Sequence, residues 1–265
     1  DDIFSGYRRH FALTQEKYWS WLPKSLRSRI GALSQRVPQH HPAGRRLAKA
    51  LRYAGREGDE RLVSYFYWQD PENLACLYSD DWKEKVSEIS FDRRMHLSLK
   101  NLSPDTPALN RILYLEAKHF LADHNLNYTD KMGMAAGVEI RVPLLDLELI
   151  KGAARLPVRF KQNNRIGKWI LKKAMASYLP REIIHRSKTG FGAPLRHWLK
   201  HELYPLVEDT LSPERIKKRG IFDAARVRTL LRNDRSGARD ASYTIFSLMC
   251  IELWCKIFLD KRSLA

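Results

Sequence analysis

Apolar positions recur at spacings of three and four along most of the chain, which predicts helices rather than strands. In 109–126, Leu109, Ile112, Leu113, Glu116, Phe120 and Leu121 keep that spacing, after a loop marked by Ser103-Pro104-Asp105-Thr106-Pro107. Ile170, Leu171, Ala174 and Tyr178 repeat it, and Leu179-Pro180 closes the helix. The 243–259 stretch reads as a buried terminal helix, with Ile245, Leu248, Met249, Leu253 and Trp254 on a wide apolar face. Glu252 and Lys256 interrupt it, and it is too short to span a bilayer unaided. The one strand candidate is 137–142, and no internal repeat is visible. The expected class is mostly α.

Composition adds a globular chain with an anionic partner. The 265 residues are 44% apolar and 29% charged, which argues against disorder and allows one large domain or two small ones. Lys and Arg number 47 against 30 Asp and Glu, a formal +17. The surplus is uneven: 17–56 holds ten Lys/Arg and no acid, and 151–200 holds thirteen and one acid, Glu182. The break at Pro38-Gln39-His40-His41-Pro42 predicts two helices around a turn, the first with a stripe of Trp19, Trp21, Leu22, Leu26 and Ile30. A solvated face is usually mixed in sign, so these runs point to nucleic acid, anionic lipid or a phosphate-bearing ligand. Solubility alone is the plainer account. Cys76, Cys250 and Cys255 cannot make an even disulfide framework, and read as reduced thiols packed in the core of a cytoplasmic protein. The first six residues show no initiating Met and no signal peptide, so the chain reads as a piece of something longer.

Three constellations could carry chemistry. Asp1-Asp2, ahead of Ile3-Phe4-Ser5-Gly6-Tyr7, could hold Mg²⁺, which takes a few carboxylates plus phosphate oxygens; two solvated acids are the alternative. In 130–146, Asp130 precedes Lys131-Met132-Gly133-Met134, then Glu139, Arg141 and Asp146 lie among small and apolar residues. Charges there should be paired, either in a structural bridge or with Arg141 gripping a phosphate or carboxylate. Lys168 follows the turn-like Gln162-Asn163-Asn164-Arg165 and opens a helix, where a cation has the wrong sign for the dipole unless an anion is also present. Lys188, in the Gly-bearing 187–194 loop, could likewise touch phosphate. No Walker loop, zinc site or nucleophile elbow is visible, and the histidines are scattered.

Taken together, these segments resemble the synthetase domain of glutamine-dependent asparagine synthetases. Asp1-Asp2-Ile3-Phe4-Ser5-Gly6-Tyr7-Arg8-Arg9 is similar to the second half of that family's acidic turn, with Asp2 for Glu and Ser5 for the first Gly. Asp130 to Asp146 resembles its Asp–basic–Met run and Glu-x-Arg-x-Pro-x-x-Asp segment. Lys168-Trp169-Ile170-Leu171-Lys172 resembles its Lys-x-x-Leu helix. Lys188, Gly190, Phe191, Pro194 and Trp198 resemble its Lys-x-Gly-Phe segment, and Gly220-Ile221-Phe222-Asp223 and Glu252-Leu253-Trp254 are similar as well.

The resemblance implies that residues 1–265 are the mainly helical C-terminal part of an α/β ATP-pyrophosphatase (adenine-nucleotide α-hydrolase-like) synthetase domain. It implies an ATP- and Mg²⁺-dependent ligase that adenylates aspartate and transfers glutamine-derived ammonia, giving asparagine, AMP and pyrophosphate. Lys168 would be the catalytic lysine, Asp1 a Mg²⁺ ligand, and Arg141 and Lys188 phosphate-binding, with Asp2, Asp130 and Glu139 in support. The pyrophosphate loop and N-terminal glutaminase are absent from this chain, so the fragment alone is expected to be inactive, with ATP and Mg²⁺ bound only alongside the upstream half. A homodimer is compatible with the resemblance. Relatives that adenylate another carboxylate, closing β-lactam or lasso-peptide rings or amidating metabolites, are the first alternative. A basic nucleic-acid module and a peripheral membrane protein are disfavoured, because charge alone predicts no Glu-x-Arg-x-Pro-x-x-Asp segment.

Overall fold

The computed structural model describes residues 1–37, 42–187 and 193–260. Helices dominate, and among these residues the only β-type pairings are isolated bridges, Tyr78 to Phe222 and Asn163 to Ile166. The 137–142 segment is therefore no strand: it is irregular and exposed, entered through Gly137 at φ 68°. Among the described residues no helix is long and apolar enough to cross a membrane.

The chain divides into two units, 1–33 with 50–66 and 91–188, and 34–49 with 67–90 and 189–265. In the first, helix Ala108–Leu115 is central, starting where Pro107 ends the 103–107 loop. Its Ile112 and Leu115 are wholly buried, and the helix packs against Arg8–Gln15, Gly58–Ser64 and Arg93–Lys100. Each such aliphatic side chain contributes about 1.5–3 kcal/mol of transfer free energy. Beyond Leu115 the helix does not stay α as the spacing predicts. Glu116–Leu126 is π-helical, and the α-helix resumes at Asn127–Ala135. Glu116, where the π-helix begins, is fully buried with Leu115.

The second unit is built on Ser242–Phe258, whose Ile245, Leu248 and Met249 pack with Val207, Ile216 and Phe222. The Gly220-Ile221-Phe222-Asp223 segment has a separate physical reason at each end. Gly220 closes helix Pro213–Arg219 at φ 73°, a conformation costly for other residues, and Asp223 caps Ala224–Arg235 by accepting from Arg226 N–H at 2.8 Å. Glu252 is buried and gripped by Arg219 through two hydrogen bonds of 3.0 Å, whereas Trp254, expected inside, is 53% exposed. Trp254 stands two residues after Glu252 and one before Cys255; those two share the buried face at i, i+3 spacing, and Trp254 is turned away from it.

Two further expectations are corrected. Trp19 and Trp21 precede the helix, which starts after Pro23 at Lys24–Ser34, and Trp21 and Leu26 are exposed. Of the three cysteines only Cys255 is buried; all three are free thiols.

Candidate functional site

In the first unit the 1–7 turn and the 162–168 turn interlock. Ser5 holds a left-handed backbone, φ 61°, and its hydroxyl donates to Gln162 Oε1 at 2.7 Å. Gln162 Nε2 donates in turn to Thr14 Oγ1 at 2.7 Å and to the Asn164 carbonyl at 3.2 Å. Asn164 and Lys168 are also left-handed, at 51° and 55°, so the expected turn exists and carries strain at both ends. The Lys168 N–H is shared between the Phe4 and Ser5 carbonyls, each at 2.9 Å.

Two glycines permit this approach. A Cβ on Gly167 would lie 2.3 Å from the Ser5 carbonyl oxygen, and one on Gly6 would lie 1.9 Å from Asp1 Oδ1 and 2.8 Å from Lys168 Cε. Across Gly6, Lys168 Nζ stands 2.5 Å from Asp1 Oδ1. Burial pulls the Lys168 ammonium below the ordinary lysine value, and the nearby Asp2 charge opposes that. The Tyr7 hydroxyl donates to Asp2 Oδ2 at 3.4 Å and accepts from Asn125 Nδ2 at 3.3 Å. Burial, with Asp2 next in weight, pushes Tyr7 up to about 12.

Beneath the turn lies a charged group that is closed to solvent. Glu116 accepts from Arg9 through Nε, and through Nη2 at 2.6 Å, and it pairs with His10 Nε2 at 2.9 Å. His10 and Glu116 are both fully buried. The Arg9 guanidinium centre stands over the rings of Phe120, Phe66 and Tyr7 at 4.5, 4.7 and 4.9 Å. Burial raises the Glu116 carboxyl, but hydrogen bonds from His10 and Arg9 outweigh it and hold the group below the usual carboxylate value. Burial holds His10 below the ordinary histidine value.

The residues suit a magnesium nucleotide in one respect. Asp2 Oδ1 is buried with no hydrogen-bond partner, beside a second carboxylate and a lysine, a donor set matched to a hard cation that keeps phosphate oxygens as its remaining ligands. Among the described residues no group of three or more His, Cys, Asp and Glu could hold a metal by itself.

Of the residues named from the sequence, Asp1, Asp2 and Lys168 come together. Glu139 and Arg141 are paired with each other at 2.6 Å, as expected of them, but on the surface, with Arg141 82% exposed. Asp130 is exposed on the 127–135 helix, and Asp146 caps helix Leu147–Arg155 by accepting from Glu148 N–H and Leu149 N–H. Lys188 lies outside the described residues. Sequence reasoning named Arg9 and Gln162 only as members of their segments, without a role, and missed His10 and Asn125 altogether. Glu116 gave a signal: a carboxylate among the apolar positions of a helical period is a buried charge in need of partners.

The family model described as asparagine synthase matches residues 1–256. The chain belongs to the asparagine synthase family. A putative asparagine synthetase [glutamine-hydrolyzing] of Mycobacterium tuberculosis (strain ATCC 25618 / H37Rv) is 27% identical over 264 residues, 98% of this chain and 38% of that protein. Asparagine synthetase [glutamine-hydrolyzing] 1 of Bacillus subtilis is 29% identical over 154 residues, 58% of this chain and 24% of that protein. Amidase chyE of Penicillium rubens is 26% identical over 158 residues, 57% of this chain and 23% of that protein. The chain thus spans about 38% of the length of the first of these relatives. No solved structure matches. For an asparagine synthase family member, the mostly helical architecture is the one the sequence led us to expect.

Proposed function

We propose that residues 1–265 form the C-terminal part of the synthetase domain of a cytoplasmic, ATP-dependent amidotransferase that makes asparagine from aspartate. The observation that carries this reading is the Lys168–Asp1 contact across Gly6, which two interlocked turns and two close-approach glycines hold in place. In this reading Lys168 meets the phosphates of ATP and stabilises the charge that develops on departing pyrophosphate. Its partial burial strengthens that interaction, and Asp1 keeps the ammonium oriented before ATP arrives. Asp1 and Asp2 would hold Mg²⁺, which supplies charge neutralisation on the phosphate oxygens when bound.

The remainder of the machinery belongs to parts of the parent protein outside these residues: the pyrophosphate loop and the glutaminase domain that delivers ammonia. Arg141, exposed and paired with Glu139, and Lys188 would support the phosphates, with Asp130 and Glu139 as supporting residues. The fragment alone is expected to neither bind ATP tightly nor turn over.

The test is aspartate-dependent ATP–pyrophosphate exchange by the full parent chain. Exchange that disappears in Lys168→Ala supports the reading, and full exchange in that variant refutes the role of Lys168. A second reading keeps the chemistry and changes the acid, and the similarity to a relative named an amidase favours it. Exchange driven by another carboxylate, with aspartate inert, would select it.

A further inference from the structure

We infer that His10 is a positioning residue for Lys168: its Nδ1 fixes the Gly6 peptide that forms the wall against which Lys168 and Asp1 meet. The inference rests on the reading of Lys168 given above and extends it to a group that touches no substrate.

The tautomer follows from the partners. A backbone N–H can only donate, so His10 Nδ1, 3.3 Å from Gly6 N, is bare. An ionised carboxylate can only accept, so Nε2, 2.9 Å from Glu116 Oε1, carries the proton. One neutral form of the imidazole satisfies both contacts at once. Glu116 cannot drift, because Arg9 grips it through two nitrogens, and Arg9 is held by three aromatic rings. A series of fixed groups thus runs from the ring cluster through Arg9, Glu116 and His10 to one amide.

That amide belongs to the residue with the least room in the site. A Cβ on Gly6 would fall 1.9 Å from Asp1 Oδ1 and 2.8 Å from Lys168 Cε, so both side chains fill the space that a side chain on Gly6 would take, and the setting of the Gly6 backbone bounds the place where they meet. Misplacing a catalytic group by about 1 Å can cost about 100-fold in rate.

Two substitutions in the full chain divide the roles. Asn places an acceptor near the Nδ1 position and keeps the Gly6 contact; Gln reaches the Nε2 position and keeps the Glu116 contact. We expect His10→Gln to lower kcat of ATP–pyrophosphate exchange by about tenfold to 100-fold with KM unchanged. His10→Asn should retain most of kcat, although both variants lose comparable thermal stability. Acetylation of Lys168 by acetic anhydride, read by mass spectrometry against Lys172, should rise in His10→Gln and stay near wild type in His10→Asn.

Equal losses of kcat in both variants, with Lys168 labelling unchanged, would overturn the inference and leave His10 a packing residue. If the wild-type chain shows no exchange, the functional reading fails, yet the labelling contrast still decides the positioning role. If neither His10 variant folds, Gly6→Ala leaves the imidazole in place. Lys168 labelling must then rise, and unchanged labelling refutes the wall.

Discussion

Ser5 occupies a backbone conformation that glycine adopts freely and serine does not, so its replacement separates strain from hydrogen bonding. The left-handed region costs an L-residue about 1–2 kcal/mol. Ser5 offsets this with its hydroxyl, which donates to Gln162 Oε1 at 2.7 Å in a position where Gln162 is only 5% exposed. Removing that donor leaves a buried acceptor unsatisfied, a loss of about 1–3 kcal/mol. Ser5→Ala keeps the strain and loses the bond, so it should destabilise the chain by about 1–3 kcal/mol. Ser5→Gly loses the same bond but releases the strain, less about 0.5–1 kcal/mol of added backbone entropy in the unfolded chain. The expected order is wild type, then Gly, then Ala, with the two variants separated by about 1 kcal/mol. Urea unfolding measures this as midpoints at constant slope. A Gly midpoint below that of Ala would mean that no strain is stored at residue 5, since glycine's added chain entropy of about 0.5–1 kcal/mol would then stand alone. A Gly variant more stable than wild type would mean that the strain released at residue 5 outweighs the Gln162 bond.

Further outcomes follow from the same geometry. Gly152→Ala, in helix Leu147–Arg155 with nothing within 4 Å of the new methyl, should stabilise by about 0.5–1 kcal/mol, whereas Gly220→Ala at φ 73° should destabilise by about 1 kcal/mol or more; thermal melts that give both the same sign refute the backbone argument. Gly167→Ala must displace the Ser5 carbonyl and should lower both stability and exchange activity, with loss of exchange alone marking a local shift. His10, held below its ordinary value by burial, stays neutral in the folded chain while the unfolded chain takes up a proton near pH 6.5. Folding stability should therefore fall as pH drops below about 6.5, and His10→Asn should flatten that part of the urea-midpoint profile. Glu116→Ala leaves the Arg9 charge and the His10 N–H without their acceptor and should cost about 3–5 kcal/mol; a loss under 1 kcal/mol in urea would show the buried group to be dispensable.

The helical class was legible because apolar spacing survives in any helix that packs one face. Lys168 was legible through its chemistry, a cation at a helix start after a polar turn. The 137–142 segment misled because Val138, Ile140 and Val142 look like strand residues, yet they are exposed, and β-preference has force only where a pleated face is covered. The π-helical stretch after Leu115 was illegible in the apolar spacing, and so were the partners of its first residue, Glu116, which reaches Arg9 and His10 more than 100 residues earlier in the chain. Glu139 and Arg141 were expected to find partners because of their apolar neighbours, and they do pair, but those neighbours are exposed, so composition gave no measure of burial.

The interlocking of the 1–7 and 162–168 turns also dictates an order of events during synthesis. Ser5 and Gln162 are 157 residues apart, and the carbonyls of Phe4 and Ser5 wait for the Lys168 amide. At translation rates of about 5–20 residues per second the carboxylates precede their lysine by on the order of ten seconds. The first unit's central helix can already be packing in that interval, since its contacts with the 8–15, 58–64 and 93–100 helices need nothing beyond Leu115. Lys168 is therefore made well after the acidic half of the site, and a chain that stops short of Lys168 carries Asp1 and Asp2 without this lysine.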